Sequence, residues 1–274
     1  MSTPPERIPD VEQFNGEWNR PSIFPRPEIK YGILLLVATY IFVGFALLGF
    51  SPTRLIRGLQ SARPFVIGLL SPATANLDPI IEGTVSSIQM AVLGTAFGIA
   101  FSIPIGFFAA SNLAPKPVYV TAKFFIGGIR AFHSLIMAIV FVKMFGLGAF
   151  AGTLTLVIKS IGFLGKLLAE EIENISDGEI DAIRSTGAAW PIVWLYAVYP
   201  QVYPRIVGLG IYRADSNIRA ATILGIVGAG GIGSVLLTAM NTYQYSQVST
   251  VLLVIIAMVL IGEYTSTYLR ARLI

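Results

Sequence analysis

Cysteine is absent from the 274-residue chain, and histidine occurs once, as His133. Disulfides and thiol chemistry are thereby excluded, and a lone imidazole cannot build a His-rich zinc centre. Charge is the next scarcity. Asp, Glu, Lys and Arg make up 12% of the chain against 54% for hydrophobic residues. That is about half of the roughly 25% with which soluble domains cover their surface. A G-x-x-x-x-G-K-[ST] phosphate loop, an H-E-x-x-H helix and any nucleophile–base set are also missing, which removes the common routes to nucleotide hydrolysis and hydrolytic catalysis. A soluble enzyme, a disordered chain and a disulfide scaffold fall away, and a membrane protein with several spans remains. The net charge of +4 reads as membrane topology, with no nucleic-acid partner required.

What is present is a series of long uncharged runs. Crossing a bilayer core takes about 20 mostly apolar residues. No charge separates Lys30 from Arg54, Glu82 from Lys116, Arg130 from Lys143, Lys143 from Lys159, Arg184 from Arg205 or Arg219 from Glu263. These gaps place spans at 31–50, 84–110, 120–145, 151–172, 203–238 and 249–269, an all-α membrane protein of about six transmembrane helices. The fifth span is expected to be broken. Gly225, Gly228, Gly230, Gly231 and Gly233 crowd its second half, and irregular backbone inside a bilayer has to be enclosed by protein or line a cavity. Gly94, Gly98 and Gly106 suit close packing of the second span. The stretch from Gly228 to Gly233 formally matches G-x-G-x-x-G, but it lacks a preceding strand and an acidic residue about 20 positions later, so it reads as a tight turn.

The first thirty residues carry Pro4, Pro5, Pro9, Pro21, Pro25 and Pro27 among mixed charges. They read as a polar cytoplasmic tail, with no apolar run suited to a cleavable signal. Residues 31–83 hold the first span and an external amphipathic segment, and 84–274 hold the core. With six spans, Arg7, Arg20, Arg26, Lys30, Lys116, Lys123, Arg184, Arg205, Arg270 and Arg272 fall on one side, which the positive-inside rule makes the cytoplasm, with both termini there. Arg54, Arg57 and Arg63 are the exception. They belong to a stretch that is amphipathic and suits the outer interface. Over 186–203 hydropathy alone would add a seventh span. Pro191, Pro200 and Pro204, with Trp190, Trp194, Tyr196, Tyr199 and Tyr203, argue for a surface helix on the cytoplasmic side.

Two constellations carry chemistry. The first is the charged, amphipathic stretch 170–187. Ser176 is placed to cap a short helix, with Glu179 three residues on completing a capping box, and Gly187 is placed to end it. A short helix, a glycine break and a second short helix make a knob suited to docking another protein; an ordinary charged loop is the alternative. The register Asp181-Ala182-Ile183, Gly187, Ala197-Val198-Tyr199-Pro200 resembles the "EAA" loop of ABC importer permeases, which reads Glu-Ala-Ala, three residues, Gly, nine residues, Ile-x-Leu-Pro. The Gly-to-Pro spacing matches, while Asp replaces Glu, Ile replaces the second Ala, and Ala-x-Tyr replaces Ile-x-Leu.

Segments 161–170 and 217–233 are similar to the phosphonate-type permeases, and the resemblance extends over about residues 80–272. Two departures touch the translocation region. Ala131 follows Arg130 where relatives usually show proline, and Lys159 stands where histidine is common. The resemblance implies an ABC importer permease fold with Glu179, Asp181, Ala182, Gly187 and Pro200 in the ATPase-coupling loop. It implies two permease subunits (a homodimer or heterodimer), cytoplasmic ATPase subunits holding ATP and Mg, and an extracytoplasmic substrate-binding protein. This chain would then need no cofactor or metal and perform no hydrolysis. The cargo would be phosphonate or a related phosphorus oxyanion such as phosphate or phosphite, moved across the inner membrane of a prokaryote.

The second constellation is Arg213-Ala214-Asp215-Ser216-Asn217-Ile218-Arg219, inside the fifth span. From a helix start near Tyr203, a rise of about 1.5 Å per residue puts Arg213 roughly 15 Å in and Arg219 roughly 24 Å in. Charges at such depth face a cavity or a partner. Asp215 and Arg219 are spaced i,i+4, as are Arg213 and Asn217 on another face. Two readings stay open: a net-positive lining for an oxyanion made of Arg213, Asn217 and Arg219, joined by Arg130, or a structural ion pair between helices with Arg130 as a boundary anchor. A stand-alone secondary transporter or channel for a small anion would need intramembrane carboxylates, for which Asp215 and Glu263 are the candidates. A membrane-embedded enzyme has no constellation to support it.

Overall fold

The computed structural model describes residues 27–49, 51–73 and 76–273, and among them there is helix and turn but no strand. Most of the tail expected over 1–30 therefore lies outside the described residues. The chain divides into two compact units within its second helix, between Ser61 and Ala62. The first unit contains α1 (Pro27–Leu47) and the opening turns of α2 (Pro52–Leu69). Apolar all round, α1 is long enough to cross a membrane and keeps its side chains exposed, except for a half-exposed Gly44.

The second unit holds the rest of α2, then α3 (Asp78–Phe108), α4 (Lys116–Ala131), α5 (Ser134–Phe145) and α6 (Ala149–Glu173). It continues with α7 (Asp177–Arg184), α8 (Trp190–Val193), a π-helical turn (Trp194–Val198), α9 (Tyr199–Leu224), α10 (Ile232–Asn241) and α11 (Tyr245–Leu273). Among the described residues five helical stretches are long and apolar enough to span, or six if α4 and α5 count as one bent passage.

The heart of this unit is the seam between α3 and α6. A Cβ on Gly94 would stand 2.5 Å from Leu156 Cβ and one on Gly106 2.9 Å from Leu168 Cβ, and a Cβ on Gly98 would collide with that of Ser160. Only glycine lets the backbones approach this closely. The contacted residue on α6 rises in step with the glycine on α3, so the two helices run parallel. Polar side chains in the seam satisfy themselves locally. Thr95 donates to the Ala91 carbonyl at 2.7 Å, Thr155 to Ala151 at 2.8 Å and Ser160 to Leu156 at 2.6 Å, so no donor is stranded in a dry environment.

Two spanning helices that run parallel require the intervening chain to cross back, and α4–α5 does so in two pieces. The single span expected over 120–145 is bent by 90° between Ala131 and Ser134. Phe132 and His133 are extended, and His133 Nδ1 accepts from the Leu135 N–H at 3.3 Å to start α5. Lys159 Nζ closes the other side of the break, donating to the Phe132 carbonyl at 2.7 Å and to Ile129 at 3.5 Å. An ammonium at a helix C-terminus also meets the negative end of the helix dipole.

The expected break in the fifth span is present. After Leu224 the chain makes one 3-10 turn, then passes through Gly228, Gly230 and Gly231 at φ of +86°, +77° and +77°. A Cβ on Gly233 would run into the Thr222 carbonyl, so α10 restarts beside the end of α9. Its first N–H, on Ile232, donates to Ser87 Oγ of α3 at 2.9 Å. The surface helix expected over 186–203 is not separate. α8, the π turn and α9 run on, and 191–241 forms one apolar passage. Pro200 has no N–H to give to an i−4 carbonyl, and the π turn just before it absorbs the mismatch. The Gln201 amide covers the Ala197 carbonyl at 2.7 Å.

Candidate functional site

Chemistry gathers at two levels of the bundle, and α6 and α9 carry both. At one end the chain leaves α6, forms the knob of α7 and α8, and returns as α9. The knob is built from the inside out. Ile180 is buried against Leu168, Ile172, Val193, Ala197, Val198 and Val202, with Ile183 half-buried beside it. Such apolar burial fixes the knob to the ends of both long helices. Glu179, Asp181, Ala182, Gly187 and Pro200 are exposed on it. Gly187 sits at φ +75°, and its N–H closes the turn on the Arg184 carbonyl at 3.0 Å. No atom lies within 4 Å of where its Cβ would be, so its requirement is conformational. The expected capping box does not form. Ser176 occupies the N-cap with extended backbone but its side chain makes no capping bond; Ser176, Gly178 and Glu179 are exposed, and free N–H groups at an exposed helix end can be satisfied by water.

Below the knob the end of α6 is clamped. Glu173 Oε1 accepts from the Ser111 N–H at 2.7 Å and from Lys123 Nζ at 2.9 Å, Asn112 donates to the Ile172 carbonyl at 2.8 Å, and Glu171 pairs with Arg205 at 2.8 Å. The structure thus collects Lys123, Arg205, the α6 carboxylates and the knob at one end of the bundle.

The second level lies about 20 Å further up both helices, counting about 1.5 Å per residue from Glu173 to Ser160 and from Tyr199 to Arg213. There Ser160 Oγ accepts from Arg213 Nε at 2.9 Å and from Asn217 Nδ2 at 3.1 Å, while Asn217 Nδ2 also reaches Thr95 Oγ1 at 2.9 Å. Arg213 and Asn217, expected on one face of α9, are joined through α6. Asn217 is fully buried, and its Oδ1 has no hydrogen-bond partner among the described residues. The Arg213 guanidinium lies over the Phe163 ring, 5.2 Å from its centroid. Lys159 neighbours Ser160 on α6, and its Nζ reaches the carbonyl of Ile129, the residue before Arg130, at 3.5 Å. Arg130 ends α4 with its stem laid against α6, where a Cβ on Gly162 would come 3.2 Å from Arg130 Cγ.

Arg219 has a different environment. It forms a two-pronged pair with Asp215, at 2.6 and 3.1 Å. Asp215 is only 7% exposed and faces an apolar groove of about 470 Å³ between α3, α9 and α11, lined by Ile88, Ile218, Met258 and Gly262 among others. The four residues expected in one lining are therefore divided. Arg130, Arg213 and Asn217 converge on α6, and Arg219 is neutralised on the α11 side.

The sequence marked Lys159 as touching the translocation region without placing it in the lining with Arg213, and it gave no mark to Ser160. A signal existed for the first, since Lys159 lies inside the expected 151–172 span, where a lone charge carries the same cost that singled out Arg213. Ser160 gave none, because a hydroxyl in an apolar helix usually bonds back to its own turn.

This architecture is that of a multi-pass membrane protein. Residues 102–273 match the family described as "Binding-protein-dependent transport system inner membrane component", and the chain belongs to that family of transport permease subunits. It is 37% identical over 243 residues to the phosphite transport system permease protein PtxC of Stutzerimonas stutzeri, covering 88% of this chain and 86% of that one. It is 36% identical over 250 residues to the phosphate-import permease protein PhnE of Mycolicibacterium smegmatis, covering 89% of this chain and 46% of that longer one. Among solved structures, a chain of the inward-facing MetNI methionine ABC transporter superposes with a TM-score of 0.64 at 18% identity, over 74% of this chain and 99% of that one. That likeness concerns the fold.

Proposed function

We propose that the chain is the translocation subunit of an ATP-driven importer that moves a phosphorus oxyanion (phosphonate, phosphite or phosphate) across the inner membrane of a prokaryote. The observation that carries this reading is Arg213. It is an arginine halfway along a spanning helix, held by a serine and an aromatic ring, with no carboxylate bonded to it among the described residues. A planar guanidinium donates paired hydrogen bonds to phosphorus oxyanions, and the relatives named for phosphite and phosphate supply the cargo class. Arg130 and Asn217 belong to the same pathway. Arg219, already paired, contributes more to structure than to cargo.

Coupling runs through the knob. Glu179, Asp181, Ala182, Gly187 and Pro200 form the face that a cytoplasmic ATPase subunit grips, and ATP and Mg are held by that subunit. Both termini are cytoplasmic, a binding protein delivers cargo from outside, and a second permease, identical or different, completes the path; residues 84–274 are the part that carries transport. Because the knob is packed on the ends of α6 and α9, a push on it shifts these helices against each other. Their meeting point at Ser160 and Arg213 then opens and closes.

A secondary transporter fits less well, because Asp215 is engaged by Arg219 and Glu263 is left as the intramembrane carboxylate for ion coupling. Uptake into proteoliposomes containing the permease, its ATPase and its binding protein tests the reading. ATP-dependent accumulation of at least one of phosphate, phosphite and methylphosphonate is expected. Absence of all three, alongside active ATP hydrolysis, would refute it.

A further inference from the structure

Three cations, Arg130, Lys159 and Arg213, sit on or beside α6 and α9 near mid-height, and a fourth, Arg219, lies about 9 Å further along α9. Among the described residues one of them, Arg219, has an ion pair. For Arg130, Lys159 and Arg213 the partners are neutral. Lys159 holds backbone carbonyls of Ile129 and Phe132, Arg213 holds Ser160 Oγ and the Phe163 face, and Arg130 packs its stem on Gly162. The nearest acid on the same stretch of α9, Asp215, is spoken for. Like charges brought together in a low-dielectric interior repel strongly unless an anion joins them. Arg213 and Asn217 both spend a donor on the same serine, which orients the guanidinium, and among the described residues no hydrogen bond engages its terminal NH₂ groups.

We infer that Arg130, Lys159 and Arg213 form a binding site for a tetrahedral oxyanion at the break between α4 and α5, with Lys159 as the residue that ties the bend to the bound charge. The inference rests on the function proposed above and deepens it. It adds Lys159 to the pathway, removes Arg219 from it, and gives Ser160 and Asn217 the role of positioning Arg213. The Lys159 ammonium has three protons and two carbonyl acceptors at 2.7 and 3.5 Å, so one proton is free to meet an anion without undoing the cap. Lys159 lies about 15 Å along α6 from its start, beyond the depth at which lipid headgroups sit, so the anion is a free one. Its class is a compact phosphorus oxyanion with at least two acceptor oxygens to share among the three cations.

Equilibrium binding of radiolabelled inorganic phosphate to the permease–ATPase complex in lipid nanodiscs, without the binding protein, tests this site apart from import. The wild-type complex is expected to bind phosphate, less tightly as salt rises. Lys159→Met and Arg130→Gln should each weaken binding about tenfold or more, the loss expected for a hydrogen bond to a charged group. Lys159→Arg keeps the charge and should bind more tightly than Lys159→Met, while Arg219→Gln should leave binding unchanged. A wild-type complex without a phosphate site, Lys159→Met and Arg130→Gln variants that bind as wild type, or a Lys159→Arg variant as weak as Lys159→Met would each overturn the inference. Phosphate binding in nanodiscs together with absent import in proteoliposomes would sink the import reading and leave the site standing.

Discussion

At the knob, α6 and α9 are joined by buried isoleucines and valines, and the polar residues point outward. Twenty-odd ångströms along, by the rise of about 1.5 Å per residue, the same helices are joined by Ser160, Arg213 and Asn217, and the polar groups point inward. The contrast separates two kinds of recognition. An exposed polar face on an apolar base suits a large partner that brings its own surface. Inward cations without carboxylates suit a small ion that replaces its water shell with protein donors. Since one pair of helices carries both, the coupling proposed above has a continuous path from the first junction to the second.

The largest expected effect removes both junctions at once. Gly98→Leu places a side chain where Ser160 Cβ already lies, so α3 and α6 cannot close. Size-exclusion profiles of detergent-solubilised protein should show no monodisperse species, whereas Gly127→Leu, with nothing within 4 Å of its Cβ position, should behave as wild type. Next, Gly187→Arg separates the two regions. The turn requires positive φ, and the bulky charge sits on the exposed face of the knob. The variant should fold and insert, yet lose its ATPase on co-purification. Smallest is Arg219→Gln, which leaves Asp215 buried without its partner. With the arginine 42% exposed, the pair lies between the surface and buried cases, and thermal unfolding should report a loss of about 1–2 kcal/mol with uptake little changed.

How much of this the sequence announces depends on whether a feature is set by its own helix or by a neighbour. The fifth passage starts at Pro191, well before the expected 203, but charge gaps located most other span ends to within a few residues, because the cost of burying charge in a bilayer is local to each segment. The glycine cluster announced the broken fifth span for the same reason, since positive φ is a property of the residue. The bend at Phe132 and His133 was not legible. Arg130, His133 and Ser134 are the polar residues near it, and the break is closed by Lys159 from α6, a contact that no spacing reveals. Helical spacing correctly set Asp215 opposite Arg219 and put Arg213 on another face, but it could not say what stood across from each. Aromatic and proline residues at 190–204 suggested a separate surface helix and apolarity suggested a span. The π turn before Pro200 accommodates both tendencies in one continuous rod.

The account turns on Arg213 acting on cargo while the knob acts on the motor. Its most direct test is uptake of phosphite or phosphate by Arg213→Gln transporter in proteoliposomes, with ATP hydrolysis followed in the same vesicles. The account predicts uptake lowered about tenfold or more, as for loss of a charge-assisted hydrogen bond, while hydrolysis stimulated by loaded binding protein stays close to wild type. Wild-type uptake in that variant, or uptake and stimulated hydrolysis lost together in folded protein, would contradict it.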